Sequence, residues 1–197
     1  MTYDILLALI SFAFVTSVTP GPNNMMLLAS GVNFGFRRTI PHMVGISVGH
    51  SFMVFLVGLG LAGIVHSWPP ALLLLKVVSV LYMCWLAWKI ANSGAPNGTA
   101  GAGRPMTFWQ AAAFQWVNPK AWAMALTATA NYASSGTVTV VAVVAVVFSL
   151  VNFPSVSVWA WGGEALRDWL QNPKALRAFN WTMAALLIAS LVPVLQM

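Results

Sequence analysis

ILLALISFAFVTSVTPGPNNMMLLASGVNFGF, residues 5–36, contains no charged side chain. A helix crosses the hydrocarbon of a bilayer with about 20 apolar residues, so this stretch is a span with length to spare. Its middle is not helix-compatible. Pro20 and Pro22 lack the N–H that a helix needs, and their rings clash with the preceding turn. Gly21 between them adds conformational freedom. In lipid, every backbone group freed this way costs several kcal/mol unless protein, water or a ligand satisfies it. The string Thr19-Pro20-Gly21-Pro22-Asn23-Asn24 therefore reads as a helix that is broken and restarted, with Pro22 at the first position of the second piece.

The whole chain agrees with a membrane reading. Of 197 residues, 59% are hydrophobic and 6% charged, against about 25% charged in a soluble domain. Too few charges remain to coat a water-exposed surface. A net charge of +6 does not signal nucleic acid, because no basic stripe lies on a polar scaffold. The single cysteine, Cys84, leaves no disulfide or cysteine-based zinc site within one chain. No metal or other cofactor is expected. The first apolar stretch follows only Asp4, with no basic residue before it, and reads as a retained helix instead of a secretory signal.

Six spans are expected, at about 5–36, 41–65, 71–90, 107–131, 137–161 and 178–197. Trp68, Trp109, Trp161 and Trp169 fall near their ends, where an aromatic belt belongs. Residues 92–106, rich in Gly, Ala, Pro and Asn, form a linker between a first half (1–91) and a second (107–197). With six spans, Arg37, Arg38, Lys89, Arg104, Arg167, Lys174 and Arg177 all fall on one side. That side is then cytoplasmic, and both termini are periplasmic.

The first span of the second half is also interrupted, at Asn118-Pro119-Lys120. Three spans per half give the halves opposite topology, and matched broken helices in such halves point to a transporter site. Asn118 suits a cap, with Pro119 at the first helical position. Each restarted helix directs N–H groups with partial positive charge at its break, and Lys120 adds a full charge. A carboxylate suits such ends. The carbonyls freed around Val15–Thr19 and Ala113–Val117 suit an ammonium. Thr19, Pro20, Gly21, Pro22, Asn23, Asn24, Asn118, Pro119 and Lys120 are thus the candidate substrate site. The fold expected is an all-α integral membrane protein in two inverted three-helix repeats, with helices 1 and 4 broken by proline motifs.

At these residues the chain resembles the LysE/RhtB superfamily of amino-acid exporters. The matching strings are Thr19 to Asn24 followed by Gly31 and Gly35-Phe36-Arg37, then Asn118-Pro119-Lys120. A weaker match joins Lys76 to Tyr82, Leu86 and Trp88-Lys89. The resemblance implies export of amino acids or derivatives from the bacterial cytoplasm across the inner membrane, against inward proton flow. It also implies that the two proline motifs form the central site. Asn23-Asn24 and the Trp-rich third span look like the branch that exports small neutral amino acids, such as cysteine, acetylserine, threonine or homoserine.

No Asp or Glu falls within a span, so a cationic side chain would find no acid, and neutral substrates are favoured. His50, deep in the second span, is the candidate for proton coupling. Its alternatives are a neutral histidine bonded to a backbone carbonyl, or a substrate that itself carries the exchanged charge. Lys76 and Asn152 are gating candidates, although Lys76 can also snorkel to the outer surface. His42 and His66 read as structural groups near the membrane surfaces, and Pro154 and Pro193 as simple kinks. Gly45 and Gly49 suit close helix approach, within the chain or in a homodimer. No nucleophile–base pair or metal cluster points to an enzyme. A substrate-binding membrane subunit of a larger energised transporter and a passive channel remain the rival readings.

Overall fold

A computed structural model describes residues 1–61, 63, 67, 69–93, 104–134 and 136–192. His66, Trp68, Pro193 and most of the expected 92–106 linker lie outside the described residues. The chain forms eight α-helices among these residues, and no strand: α1 (Tyr3–Val18), α2 (Pro22–Phe34), α3 (Phe36–Leu56), α4 (Pro69–Ala91), α5 (Phe108–Phe114), α6 (Pro119–Tyr132), α7 (Val138–Leu166) and α8 (Pro173–Ala189). A π-helical turn, Val57–Leu61, follows α3, and a 3-10 turn, Gln115–Val117, joins α5 towards α6.

Local chemistry sets the boundaries. Thr2 caps α1 through a bond from the Ile5 N–H. Thr107 and Gln110 form a reciprocal capping box on α5, which satisfies two orphan donors. Asn118 and Asn172 cap α6 and α8, each accepting from the N–H of the lysine two residues on. Between α2 and α3 there is a single residue, Gly35, whose φ of 81° lies in the region that favours glycine. Glu164 at the far end of α7 accepts from the Phe36 N–H at 3.1 Å, so α3 starts at Phe36 and runs through Pro41. The expected start near Pro41 is thus corrected by a cap that comes from 128 residues away.

Helix α7 is the axis of the bundle, packed against α1, α2 and α3, while α4 and α8 pair beside α2. Two contacts are made backbone to backbone. A Cβ at Gly31 would strike the Ala160 carbonyl, and one at Gly163 the Leu28 carbonyl, locking α2 to α7. A Cβ at Gly45 would strike the Phe108 carbonyl, and one at Gly49 would lie 2.5 Å from the Ala112 Cα. This second small-residue pair therefore serves packing of α3 on α5 within the chain. Helix α7 continues through Pro154.

The outer surface is apolar. Leu150, Leu81 and Trp161 are each at least 64% exposed, a pattern that suits lipid and not water. Phe36–Leu61, Leu73–Ala91 and Val138–Leu166 are long and apolar enough to cross a membrane. The bent pair α1–α2 makes a fourth span if its two pieces are counted as one. Helices α6 and α8 have 14 and 17 residues, short of the ~20 that a full crossing takes. The basic residues named above gather at one end of the bundle. That end is where Phe36 meets Glu164, Asn33 meets Asn180, and Asn180 bonds the Ser93 carbonyl.

Candidate functional site

The two proline motifs meet at the centre of the bundle. Helices α1 and α2 bend by 55° at the first break, with Pro22 at the start of α2 and no side chain capping it. The second break restarts at Pro119 under the Asn118 cap. Lys120 crosses from one break to the other. Its ammonium donates to the Thr19 carbonyl at 2.6 Å, the Thr19 hydroxyl at 3.0 Å and the Pro20 carbonyl at 3.3 Å. Gly21 makes room for it, since a Cβ there would lie 2.6 Å from the Lys120 Cδ.

The carbonyls freed by the breaks are thus taken by protein donors. Asn24 donates to the Ser17 and Thr19 carbonyls at 2.9 and 2.7 Å. The Trp159 indole donates to the Val18 carbonyl and the Trp122 indole to the Trp116 carbonyl. Each donor answers the requirement that no backbone polar group be left bare in the hydrocarbon.

Two side-chain links tie the breaks to the rest of the core. Asn23 and Gln115 form a reciprocal amide pair at 2.9 and 3.2 Å, joining α2 to the turn before α6. Gln115 is fully buried and also donates to the Ala111 carbonyl. Asn152 on α7 donates to the Ser17 hydroxyl at 3.1 Å and accepts from the Ser47 hydroxyl at 3.0 Å. It thereby connects α1, α3 and α7.

These groups line a partly open cavity with about 20 Å³ of internal space, bounded by Gly21, Asn23, Asn24, Asn118, Lys120, Asn152 and their neighbours. That is room for one water, not for an amino acid. His50 lines it, is 2% exposed and stacks edge-on against Phe148. Neither of its ring nitrogens has a hydrogen-bond partner among the described residues, so the carbonyl-bonded alternative for His50 is not realised. Among the described residues, the lining contains one lysine, several amides and no carboxylate. It is equipped to hold an anionic group and to hydrogen-bond a neutral one.

The structure therefore brings together Thr19 to Asn24, Asn118 to Lys120, His50 and Asn152. It does not bring Lys76 there. Lys76 lies on α4, whose main neighbour is α8, and is not among the residues lining this cavity. His42 lies outside this site, in a cavity it shares with Lys89 and Arg104. It is 1% exposed and has no partner at either ring nitrogen among the described residues. Gln115, Ser17 and Trp159 were not anticipated. Gln115 carried a usable signal, since it is an amide inside an apolar run, three residues before Asn118.

The family description "LysE type translocator" matches residues 14–192. The chain is 30% identical over 191 residues, 95% of each chain, to a cysteine/O-acetylserine efflux protein of Klebsiella pneumoniae. It is 36% identical over 133 residues, 67% of each chain, to one of Salmonella typhimurium. With the one of Escherichia coli K12 it shares 37% over 124 residues, 61% of each. No solved structure matches. A family match over most of the chain, joined to apolar helices that meet at two broken segments, has one reading: the chain belongs to the LysE type translocators, a family of membrane exporters.

Proposed function

We propose that this protein exports small neutral amino acids or their derivatives, of the cysteine and acetylserine kind, from the bacterial cytoplasm by proton antiport. The names of its relatives support the substrate class. The carboxylate-free lining supports a neutral side chain. The observation that carries the reading is the Lys120 ammonium clasped by the carbonyls of Thr19 and Pro20. A cage that holds one primary ammonium can hold another. An incoming amino acid would place its α-ammonium on those carbonyls and release Lys120. The freed lysine would then meet the substrate carboxylate beside Asn23, Asn24 and the uncapped start of α2. The narrow cavity with Lys120 across it is the substrate-free, latched state.

His50 lines the same cavity, so a proton there and a cationic group beside it oppose one another. Such opposition is the exchange that antiport needs. Six spans in two inverted halves are the architecture proposed. Its support is the packing pattern, read by exchanging α1–α4 with α5–α8. The α1–α7 contact then corresponds to α5–α3, and the α3–α7 and α4–α8 contacts map onto themselves, whereas the extensive α2–α7 contact has only a much smaller counterpart in α6–α3, so the two broken segments pack differently in the two halves. The two halves would rock about the central site, with the basic end cytoplasmic, both termini periplasmic and the bilayer of the inner membrane around them.

The test uses proteoliposomes with a pH dye trapped inside and a panel of amino acids added singly. Substrate-driven proton movement with a few small neutral amino acids, absent from empty liposomes, is the expected result. Transport without proton movement would remove the coupling. Flux that never shows counterflow would mean a channel.

A further inference from the structure

The basic end of the bundle holds a second cavity, of about 240 Å³, between α2, α3, α4 and the segment before α5. It is an order of magnitude roomier than the central one and takes in a small metabolite whole. Met26, Leu86 and Met106 give it an apolar wall. Among the described residues, Lys89 and Arg104 are its charged lining residues, and no carboxylate joins them. Lys89 is held with its ammonium 4.7 Å from the Trp85 ring centre.

The polar lining is divided in its commitments. Ser30 bonds Thr39, and Asn33 bonds the Ala29 carbonyl and Asn180. His42 is not committed. It is 1% exposed, it lines this cavity, and neither ring nitrogen has a partner among the described residues. A buried polar group without a partner costs about 1–3 kcal/mol; both nitrogens are shielded from solvent, so a bound molecule would relieve that cost once the imidazole turned a nitrogen into the cavity.

Helix α2 lines both cavities. Asn23, in the central one, and Ser30, in this one, are seven residues apart, about two turns or 10 Å on one face. Between them Met26 packs in one cluster with Phe114, the neighbour of Gln115. A methionine is flexible enough to act as a movable partition there.

From this cavity, its cationic rim and the unpartnered imidazole, we propose a loading site. It binds a small carboxylate-bearing metabolite from the cytoplasm, which then passes Met26 and Phe114 to the central site. The carboxylate would sit at Arg104 and Lys89, and His42 would bond a polar group at the metabolite's other end. This inference rests on the export reading above and on the basic end being cytoplasmic.

The test places a reporter thiol in the cavity of the full chain. In a Cys84→Ser background, Met106→Cys, and separately Ser30→Cys, are reacted with an anionic and a cationic methanethiosulfonate, with rates normalised to free cysteine. The expected result is a preference of about tenfold for the anionic reagent, lost in Arg104→Gln. Sodium acetate should slow the reaction relative to sodium chloride at equal ionic strength. That protection should vanish in Arg104→Gln and persist in Lys120→Ala. No anion preference at either thiol, or no protection by acetate, overturns the loading site. Amino-acid transport is measured on the same preparations. Transport without acetate protection removes the loading site alone, and protection without any transport removes the export reading while the carboxylate site stands.

Discussion

Replacing Lys120 by methionine separates a working ammonium from a structural strut. The substitution keeps the length of the side chain and deletes three hydrogen bonds, to the Thr19 carbonyl, the Thr19 hydroxyl and the Pro20 carbonyl. Two of the three acceptors are not orphaned. The Thr19 carbonyl keeps Asn24, and the Thr19 hydroxyl still donates to the Thr16 carbonyl. Charge-assisted bonds contribute about 1.5–3 kcal/mol each when buried. Here the ammonium is partly open to solvent, and the methionine no longer needs desolvation, so the net loss is about 1–2 kcal/mol. That corresponds to a melting shift of about 2–8 °C. Transport should suffer far more. Losing a charged contact to the substrate carboxylate, about 3 kcal/mol, lowers kcat/KM by about 100-fold. The assay is uptake of L-cysteine or O-acetyl-L-serine into proteoliposomes, with melting followed in the same detergent extract. Transport within threefold of the parent would refute the argument. So would a melting point so depressed that loss of fold explains the loss of transport.

Gly21→Ala should imitate this variant with the lysine still present, because the new Cβ occupies the space of the Lys120 Cδ; transport should fall about tenfold or more, with a melting shift in the same range as that of Lys120→Met. Asn152→Leu removes buried bonds to Ser17 and Ser47 and should cost about 2–3 kcal/mol, visible in thermal melting. Asn23→Ala and Gln115→Ala should be non-additive, with a coupling of about 1–2 kcal/mol in a double-mutant cycle; a coupling near zero would mean that the amide pair does not join the two breaks. Gly163→Leu should fail to yield folded protein, since the side chain would have to enter the Leu28 carbonyl, whereas Gly162→Ala, which meets nothing closer than 3.9 Å, should fold and transport.

The breaks were legible because proline acts locally. Pro20-Gly21-Pro22 stops one helix and lets another start only at Pro22, and Asn118-Pro119 writes its own cap. The same local logic produced a second Asn-Pro-Lys, Asn172-Pro173-Lys174, which starts α8 at the exposed basic end. The motif therefore specifies a helix start, and its use as a site depends on where the fold buries it: Asn118 is 2% exposed. That distinction is tertiary and invisible in a string. The start of α3 was misread for a related reason, since Glu164 reaches it only through the packing of α7. The freed carbonyls were anticipated, but their partners Trp159, Asn24 and Lys120 come from three different helices. The burial of His42 is likewise tertiary, because it depends on α4 and the residues before α5 lying over it.

The central claim is that Lys120 leaves the Thr19 and Pro20 carbonyls and takes the substrate carboxylate. Solid-state NMR on protein in lipid, with ¹⁵Nζ-lysine and ¹³C-carboxyl L-cysteine under reducing conditions, measures that contact. One lysine nitrogen should couple to the labelled carboxyl carbon at about 4 Å, and the coupling should vanish in Lys120→Arg while the other lysine signals stay unchanged. Bound cysteine whose carboxyl carbon couples to no lysine nitrogen would contradict the latch and return Lys120 to a structural tie between the two breaks.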